Sequence, residues 1–385
     1  MPNEHFALLG TALPTAEALN DTAMADFTGL AFMAMRGHDA LSQCFEFEIS
    51  AVSGTPDITA NDLLGTEVGL TLWADPNQPD QPRFFHGIVD RFHFSGTDEQ
   101  GHWLYHLTLR PRLWLLGKTT DNRIFQQKSV VDIVSAVLDQ HGCTDYAWQL
   151  NRRPPQREYC VQYGESDLDF VQRLLEHEGI FYFFRFAQDR HTLVFCDDVQ
   201  ALESADGNAT LPFMTHFFTR TNAQGRAAAP EGITRFSRVD RIVPGSHSMT
   251  DYDFEKPSAD LMAKADNAKA HSNANGARYG YPGTYIEHGR GGHLADVRNQ
   301  EDQVHAHVIT ALSSASLPGS GNMFSLTGFP RQHENIAYAI ERVEYDLRGR
   351  HFRSAAPSRA QGGDAAKARQ LSPESLADMA DVGGF

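Results

Sequence analysis

The sequence predicts a mainly β protein in which an α+β module lies between two strand-rich stretches. Three observations support this prediction. Apolar and polar residues alternate from residue 29 to about 116, a helical period replaces the alternation between 129 and 179, and alternation returns after residue 233. A period of two is typical of strands with one buried face, and a period of 3.6 is typical of amphipathic helices. The 25 phenylalanines among 385 residues suit sheet faces that pack on one another.

The first strand-rich stretch, residues 28–115, predicts an antiparallel unit. The alternation is clearest in the segments 45–51, 68–72, 84–94 and 103–110. Loops rich in Pro, Asn, Asp and Gly separate these segments. Five strands with one apolar face favour a sandwich or a barrel. Residues 1–27 show little periodicity, and we expect them to be a loosely ordered N-terminal segment.

The following stretch, residues 116–200, predicts an α+β module. Ser129-x-x-Asp132 resembles a capping box at the start of one helix, and Gly142 suits its end. Ser166-x-x-Asp169 opens a second helix, which Gly179 ends. The apolar run 180–184, a turn at 188–190 and a strand at 193–195 then predict a hairpin. We expect the apolar face of the second helix, with Phe170, Leu174 and Leu175, to pack on this hairpin.

The remaining chain predicts a second β unit with helical pieces. Residues 201–231 are rich in Ala, Gly and Asn and are interpreted as a connection. Strands are predicted around 233–243, 249–254, 304–312, 324–326 and 343–347, and helices at 261–270 and 294–303. Residues 355–370 lack a pattern and predict disorder. Ser372-Pro373 suits the start of one last short helix.

Composition excludes several classes of function. With 33 Lys and Arg against 49 Asp and Glu, the net charge is −16, which argues against nucleic acid or anionic lipid as a partner. The N-terminus lacks the basic region of a signal peptide, and no run reaches the ~18 apolar residues of a membrane helix. The four widely spaced cysteines are typical of reduced core residues. We therefore expect synthesis in the cytoplasm without a signal peptide.

The metal-binding motifs in the sequence are incomplete. His177-Glu178 and His333-Glu334 each begin a zincin motif, but neither has the second histidine that H-E-x-x-H requires. His305-x-His307 is more simply a polar strand face. Asp251-x-Asp253 begins like a calcium loop, but Lys256 occupies the place of the glycine. The sequence therefore predicts no metal site and no cofactor.

Acidic residues near the second helix raise the question of general acid–base chemistry. Glu165, Asp167 and Asp169 lie at the start of that helix, where its dipole accounts for them. Glu176 and Glu178 lie at its end, where acids are mildly unfavourable, and the sequence offers no explanation for them. No nucleophile, base and orienting group stand out together. We therefore predict no catalytic residues, no enzyme activity and no small-molecule substrate.

Several segments together resemble the N-terminal hub region of the VgrG family, the spike proteins of type VI secretion. The resemblance covers roughly residues 27–350, with the segments in matching order. The most specific segment is 157–184, which reads REYCVQYGESDLDFVQRLLEHEGIFYFF. The other segments are MRGHDALS (35–42) leading into FEF (45–47), LLG (63–65), RFFHGIV (83–89), LRPRLWLL (109–116), NRIFQ (122–126), DYDF (251–254) and FSLTG (324–328).

The resemblance implies a fold and an assembly that the residue pattern alone does not give. It implies two tube-type antiparallel β-barrels and an outer α+β domain, as in the hub of a contractile-phage baseplate. The barrels would be residues 28–115, and 233–255 with 301–352, and the outer domain would be 116–232 with 256–300. It further implies a homotrimer whose six barrels form a pseudo-sixfold ring on a hexameric inner-tube protein. Export by the secretion apparatus follows from the same resemblance, while the interface residues stay unknown.

The sequence departs from the family pattern at its C-terminus. Family members continue into an OB-fold and a β-helix needle, whereas here residues 353–385 predict only a flexible tail. We therefore expect a separately encoded needle or effector as a further partner. Truncation, a split gene and an expression fragment are all compatible with the sequence. The alternatives for function are a prophage tail hub, a cell-wall-cleaving hub hydrolase and a free binding module.

Overall fold

A computed structural model describes residues 6–10, 29–73, 82–99, 101–204, 210–215, 220–221, 227–228, 232–314 and 319–349. The fold is mainly β with curled antiparallel sheets, as the sequence predicts. The helices are α1 (Ala60–Leu63), α2 (Val130–Gln140), α3 (Asp167–Glu178) and α4 (His288–Gln303). The strands are β1 (Phe6–Gly10), β2 (Ala31–Ala40), β3 (Glu46–Ser53), β4 (Glu67–Trp73), β5 (Pro82–Thr97), β6 (Trp103–Arg110), β7 (Thr120–Ser129), β8 (Tyr146–Gln149), β9 (Gln156–Ser166), β10 (Phe181–Phe186), β11 (His191–Cys196), β12 (Glu203–Ser204), β13 (Thr210–Pro212), β14 (Arg220–Thr221), β15 (Ala227–Ala228), β16 (Ile233–Asp240), β17 (Ser246–Met249), β18 (Ala263–Asp266), β19 (Ala277–Gly280), β20 (His307–Ser313), β21 (Asn322–Thr327), β22 (Ala337–Ala339) and β23 (Arg342–Arg348).

The largest sheet has seven strands in the order β1-β4-β5-β6-β3-β2-β23, and each neighbouring pair is antiparallel. Five of these strands fall in the stretch 28–115, as expected. The two edge strands do not. β1 lies in the segment predicted to be loosely ordered, where its Leu8 is buried and its backbone pairs with β4. β23 lies in the stretch assigned to the second β unit, yet it pairs with β2.

The seven-stranded sheet curls strongly. Strands β5 and β23 are separated by three strands in the sheet order, which in a flat sheet would place them about 19 Å apart. However, the rings of Phe85 on β5 and Tyr345 on β23 have centroids only 5.1 Å apart, and Arg83 donates a hydrogen bond to the Tyr345 hydroxyl. The sheet therefore folds around an apolar interior. Phe186 of β10 enters this interior and contacts Phe47 and Phe85.

The α+β module forms as the sequence predicts. Ser129 and Asp132 make the capping box of α2, Ser166 caps α3, and Gly179 ends α3 in the left-handed conformation. β10 and β11 form the expected antiparallel hairpin, and β8 joins β11 in parallel. The long ribbon of β7 and β9 packs on α3, where Phe125 stacks on Phe170 at 5.7 Å between centroids.

The core of this module gives a direct test of the helix assignment. We expect Leu174→Ala to lower the free energy of unfolding by about 2–5 kcal/mol, because Leu174 is fully buried and its truncation leaves a cavity. Urea denaturation followed by circular dichroism measures this change. Leu64→Ala is the matched control: Leu64 is 46% exposed, so the same substitution should cost far less. An equal loss in both variants would contradict the packing described here.

The rest of the chain forms several small sheets among the described residues. β16 pairs with β20, β17 lies between β18 and β19, and β21 pairs with β12, β13 and β22. The short strands β12–β15 fall in the segment 201–231, for which the composition predicts a connection. The prediction of a helix at 261–270 is wrong, because 263–266 pairs with β17 and buries only Ala263 and Ala265. The helix predicted at 294–303 is confirmed as α4, which begins earlier, at His288.

Two further predictions concern the C-terminal part of the chain. The disorder expected at 355–370 and the short helix expected after Ser372 lie outside the described residues. Within the described ranges, no helix is both long enough and apolar enough to cross a membrane.

Candidate docking surfaces and buried polar networks

The first half-motif, His177-Glu178, belongs to a buried ion network. Glu178 is 4% exposed, and its carboxylate accepts hydrogen bonds from both terminal nitrogens of Arg290, at 2.6 and 2.7 Å, and from Arg157 at 2.8 Å. His177 lies between Arg157 and the hydroxyl of Thr284. The network therefore ties the C-terminal end of α3 to β9 and α4, and it explains the acidic residue at that helix end.

The electrostatics of Glu178 follow from these contacts. Burial alone would raise the pKa of this carboxyl, but the neighbouring His177 and the hydrogen bonds from Arg290 and Arg157 outweigh it and hold the pKa far below its ordinary value. A carboxylate that stays ionised near neutral pH and is held by two guanidinium groups is a poor proton donor or acceptor there. The geometry favours a structural role.

The acidic residues at the start of α3 also have structural partners. Asp167 is 1% exposed and accepts hydrogen bonds from Gln162 at 2.7 Å and from Arg123, while the His141 ring lies 2.6 Å from its other oxygen. Burial opposes ionisation of Asp167, yet the hydrogen bonds from Gln162 and His141 and the charge of Arg123 keep its pKa below the ordinary range. Asp169 accepts from the Ser166 hydroxyl at the helix cap.

The second half-motif, His333-Glu334, lies in a short 3₁₀ helix rather than on an α-helix. Glu334 is 1% exposed and accepts hydrogen bonds from Arg238 at 3.2 and 3.3 Å and from the Tyr338 hydroxyl at 3.1 Å. His307 contacts Asp240, which also pairs with Arg238. His305 precedes strand β20. These residues join β16 and β20 to the segment before β22.

The incomplete calcium loop is a backbone anchor. Asp251 Oδ2 accepts hydrogen bonds from the backbone N–H groups of Thr284, at 2.6 Å, and Tyr285, at 3.3 Å. Asp253 accepts from the N–H of Glu255 at 2.9 Å. Across the described part of the chain, no group of three or more His, Cys, Asp and Glu side chains is arranged to hold a metal ion.

A buried histidine pair, which sequence inspection did not single out, lies where the large sheet meets the hairpin. The Nδ1 atoms of His86 and His191 are 3.0 Å apart, and the backbone N–H of Arg112 donates to His191 Nε2 at 3.0 Å. Nε2 of His191 therefore lacks a proton, so Nδ1 carries it and donates to His86. Burial, the neighbouring His86 and Arg112 lower the pKa of His191 to about 3. The neutral, mutually bonded pair has no free lone pair at this contact for a metal.

The cavity beside this pair is small. Its volume is about 60 Å³, and its lining includes Glu67, Arg112, Cys143 and Asp189. Cavities of this size hold a few water molecules, whereas ligand sites typically measure about 300–1,000 Å³. No sequence motif marks this site, because its members come from five separate segments. The cavity is therefore too small to favour an interpretation as a substrate site.

A candidate protein-docking surface is the ribbon of β16 and β20. Apart from a single bridge between Phe213 and Ile233, this ribbon pairs with no third strand among the described residues. One face contains Phe236, which packs on Phe329 and Tyr338. The opposite face carries Val239 and Leu312, which are 43% and 48% exposed. Exposed apolar strand faces are typical of surfaces that another chain covers.

These features together define a class. The mainly β fold with its curled antiparallel sheets resembles that of phage tail hub proteins. A component of the type VI secretion system from E. coli, the c3393 protein, superposes with a TM-score of 0.60 at 18% identity, covering 87% of this chain and 72% of that one. The 43 kDa tail protein of prophage MuSo2 from Shewanella oneidensis superposes with a TM-score of 0.58 at 9% identity, covering 89% and 94%.

The chain belongs to the phage tail baseplate hub (GPD) family, whose model matches residues 38–350. It is also similar to spike proteins of the type VI secretion system of Pseudomonas aeruginosa. VgrG1b is 35% identical over 311 residues, covering 81% of this chain and 40% of that protein. VgrG1a is 35% identical over 321 residues, covering 81% and 47%. The chain thus spans less than half the length of these two relatives. The resemblance to VgrG is confirmed.

Proposed function

We propose that this chain is the structural hub of a type VI secretion spike. In this role three copies form a pseudo-sixfold ring that docks on a hexameric inner tube, without catalysis. The observation that carries the proposal is the β16–β20 ribbon, which leaves Val239 and Leu312 exposed among polar side chains and, apart from one bridge, pairs with no third strand among the described residues. The similarity to spike proteins supports the same role. Export by the secretion apparatus, with a needle or effector as a further partner, belongs to the proposal.

The curled sheet suits a tube wall, because its two faces differ. The inner face is mainly apolar, whereas the other face carries charged rows. Arg36 on β2 pairs in register with Asp346 on β23 and with Glu48 on β3, and Arg91 on β5 follows in the same row. All four side chains are exposed. We propose that this sheet is one wall unit and that the segments around β16, β20 and β21 build the second.

The assembly makes a measurable prediction. Light scattering on the purified protein at tens of micromolar should give three times the chain mass of 42.8 kDa. The double substitution Val239→Glu/Leu312→Glu should yield monomers, because burying two carboxylates at an apolar interface is costly. Val199→Glu, at another exposed valine, is the matched control and should leave the trimer intact.

Two outcomes would contradict this assembly. A wild-type protein that stays monomeric at these concentrations would contradict the proposed trimeric ring. A double variant that still forms trimers would exclude the β16–β20 ribbon as the contact. Circular dichroism should show that each variant keeps its fold, since all three substituted side chains are exposed. Docking is then tested by co-sedimentation of the wild-type protein with assembled inner-tube rings, and the monomeric variant should fail to co-sediment.

A further inference from the structure

A second exposed apolar surface lies on the small sheet of β17, β18 and β19. One face of this sheet contains Met249, Ala263 and Ala265, which pack with Leu294 and Ala295 of α4. Tyr279 lies on the opposite face, and Met262 and Tyr281 extend that face at the strand ends. Tyr252, Phe254 and Ile286 lie on the two loops that flank it. The six side chains are 45% to 81% exposed, and we call them the aromatic surface.

The loops of the aromatic surface are anchored. The Tyr285 hydroxyl donates to the carbonyl oxygens of Met249, at 2.8 Å, and Leu261, at 2.6 Å. Asp251 accepts from the N–H of Thr284, and the N–H of Gly283 donates to Thr250 O at 2.9 Å. These bonds hold the loop 250–254 against the loop 281–286. A rigid, exposed aromatic surface loses little conformational entropy when a partner covers it.

The charges around the aromatic surface are mainly negative. Residues 251–260 contain four acidic side chains, of which Glu255 and Asp260 are exposed, and one basic side chain, Lys256. Nearby cations already have acidic partners: Lys264 lies 2.8 Å from Asp266, and Arg278 lies 2.6 Å from Asp302. Exposed aromatic rings attract cations through their faces, and neighbouring carboxylates add to this attraction. The surface therefore complements a partner with positive charge and apolar side chains.

We propose that the aromatic surface binds a basic protein segment in which arginine side chains alternate with aliphatic ones. Arginine suits both features of the surface, because its guanidinium stacks on aromatic rings and pairs with carboxylates. Anionic lipid and nucleic acid are disfavoured by the surrounding acidic groups. This role goes beyond tube docking and does not depend on it, because the residues involved are separate from the β16–β20 ribbon.

Fluorescence anisotropy with designed peptides tests the proposal. The probe is a fluorescein-labelled peptide of twelve alternating arginine and leucine residues. Two comparison peptides replace all leucines by serine or all arginines by glutamate. We expect the arginine–leucine peptide to bind the full chain about tenfold more tightly than either comparison peptide. Removing the arginine or the leucine side chains should each lower the affinity by about this factor, because a few side chains supply most of the binding energy of an interface.

Two double variants locate the binding. Tyr252→Ser/Phe254→Ser should weaken binding of the arginine–leucine peptide about tenfold. Tyr159→Ser/Tyr163→Ser removes two exposed aromatics on β9 and is the matched control, expected to change binding less than about twofold. Absence of binding, equal binding of the serine peptide, or equal effects in both variants would overturn the proposal. So would a change in oligomeric mass caused by the first variant alone, since the occupant would then be a second copy of this chain.

Discussion

Gly37→Ala is expected to destabilise the protein by more than about 4 kcal/mol, or to prevent its folding. Gly37 lies in β2 between β3 and β23, opposite Phe47 and Tyr345. A Cβ atom at this position would lie 2.1 Å from the carbonyl oxygen of Glu46 and 2.8 Å from the Cα of Phe47. Both are backbone atoms of the neighbouring strand, so no side-chain rotation relieves the clash. Such overlaps belong to the small class of substitutions with exceptionally large effects.

The measurement is soluble yield, followed by urea denaturation of whatever folds. Gly289→Ala is the matched control, because Gly289 is exposed in α4 and its Cβ would meet no atom within 4 Å. Alanine has a higher helix propensity than glycine, so this control should keep or raise stability by up to about 1 kcal/mol. If Gly37→Ala folded with wild-type stability, strands β2 and β3 would have to lie further apart than described.

Local patterns predicted much of the fold. The limits of α3 follow from Ser166 and Gly179, because a capping side chain and a left-handed glycine act within one turn of the helix end. The hairpin of β10 and β11 follows from two apolar runs around a polar turn. In each case the signal and the structure it determines are a few residues apart.

Strand pairing between distant segments could not be predicted from the sequence. β23 alternates clearly, but nothing in its residues shows that its partner is β2, some 300 residues earlier, rather than a strand nearby. Residues 263–266 alternate Ala, Lys, Ala and Asp, which is compatible with a helix end as well as a strand. Their pairing with β17 decided the outcome. β1 was missed because its five residues are too few to establish a period.

The candidate site shows the same difference between local features, which the sequence predicts, and distant contacts, which it does not. Sequence inspection found no reason for an acidic residue at the end of α3. The reason is Arg290, which lies 112 residues away. The sequence also does not reveal which strand faces are exposed. Val239 and Leu312 follow the same alternation as any half-buried strand. Because Phe236 lies on the packed face of the ribbon, the face with Val239 and Leu312 must be the outward one, and only the structure shows this.

Loss of the Glu178 carboxylate is expected to lower the free energy of unfolding by about 3–5 kcal/mol at pH 7, as is typical when a buried ion pair is broken. In the Glu178→Gln variant, Arg157 and Arg290 remain close together without the anion that both contact. Arg290 and Glu178 are 13% and 2% exposed at their side chains, so water screens little of the effect. Arg298→Ala breaks the surface pair with Glu301 and is the matched control, expected to cost less than about 0.5 kcal/mol.

The stability difference between the wild type and Glu178→Gln should depend on pH. The folded state holds the pKa of Glu178 below its ordinary value of 4.5, because the neighbouring His177 and the hydrogen bonds from Arg290 and Arg157 outweigh the effect of burial. The stabilisation is therefore complete above about pH 4.5 and is lost as the pH falls towards the folded pKa. Urea denaturation of the wild type and Glu178→Gln at pH 7, 5, 4 and 3 should show the difference between them shrinking below pH 4.5. A difference that stays constant down to pH 3 would mean that the carboxylate does not stabilise the junction of α3 and α4 through its charge.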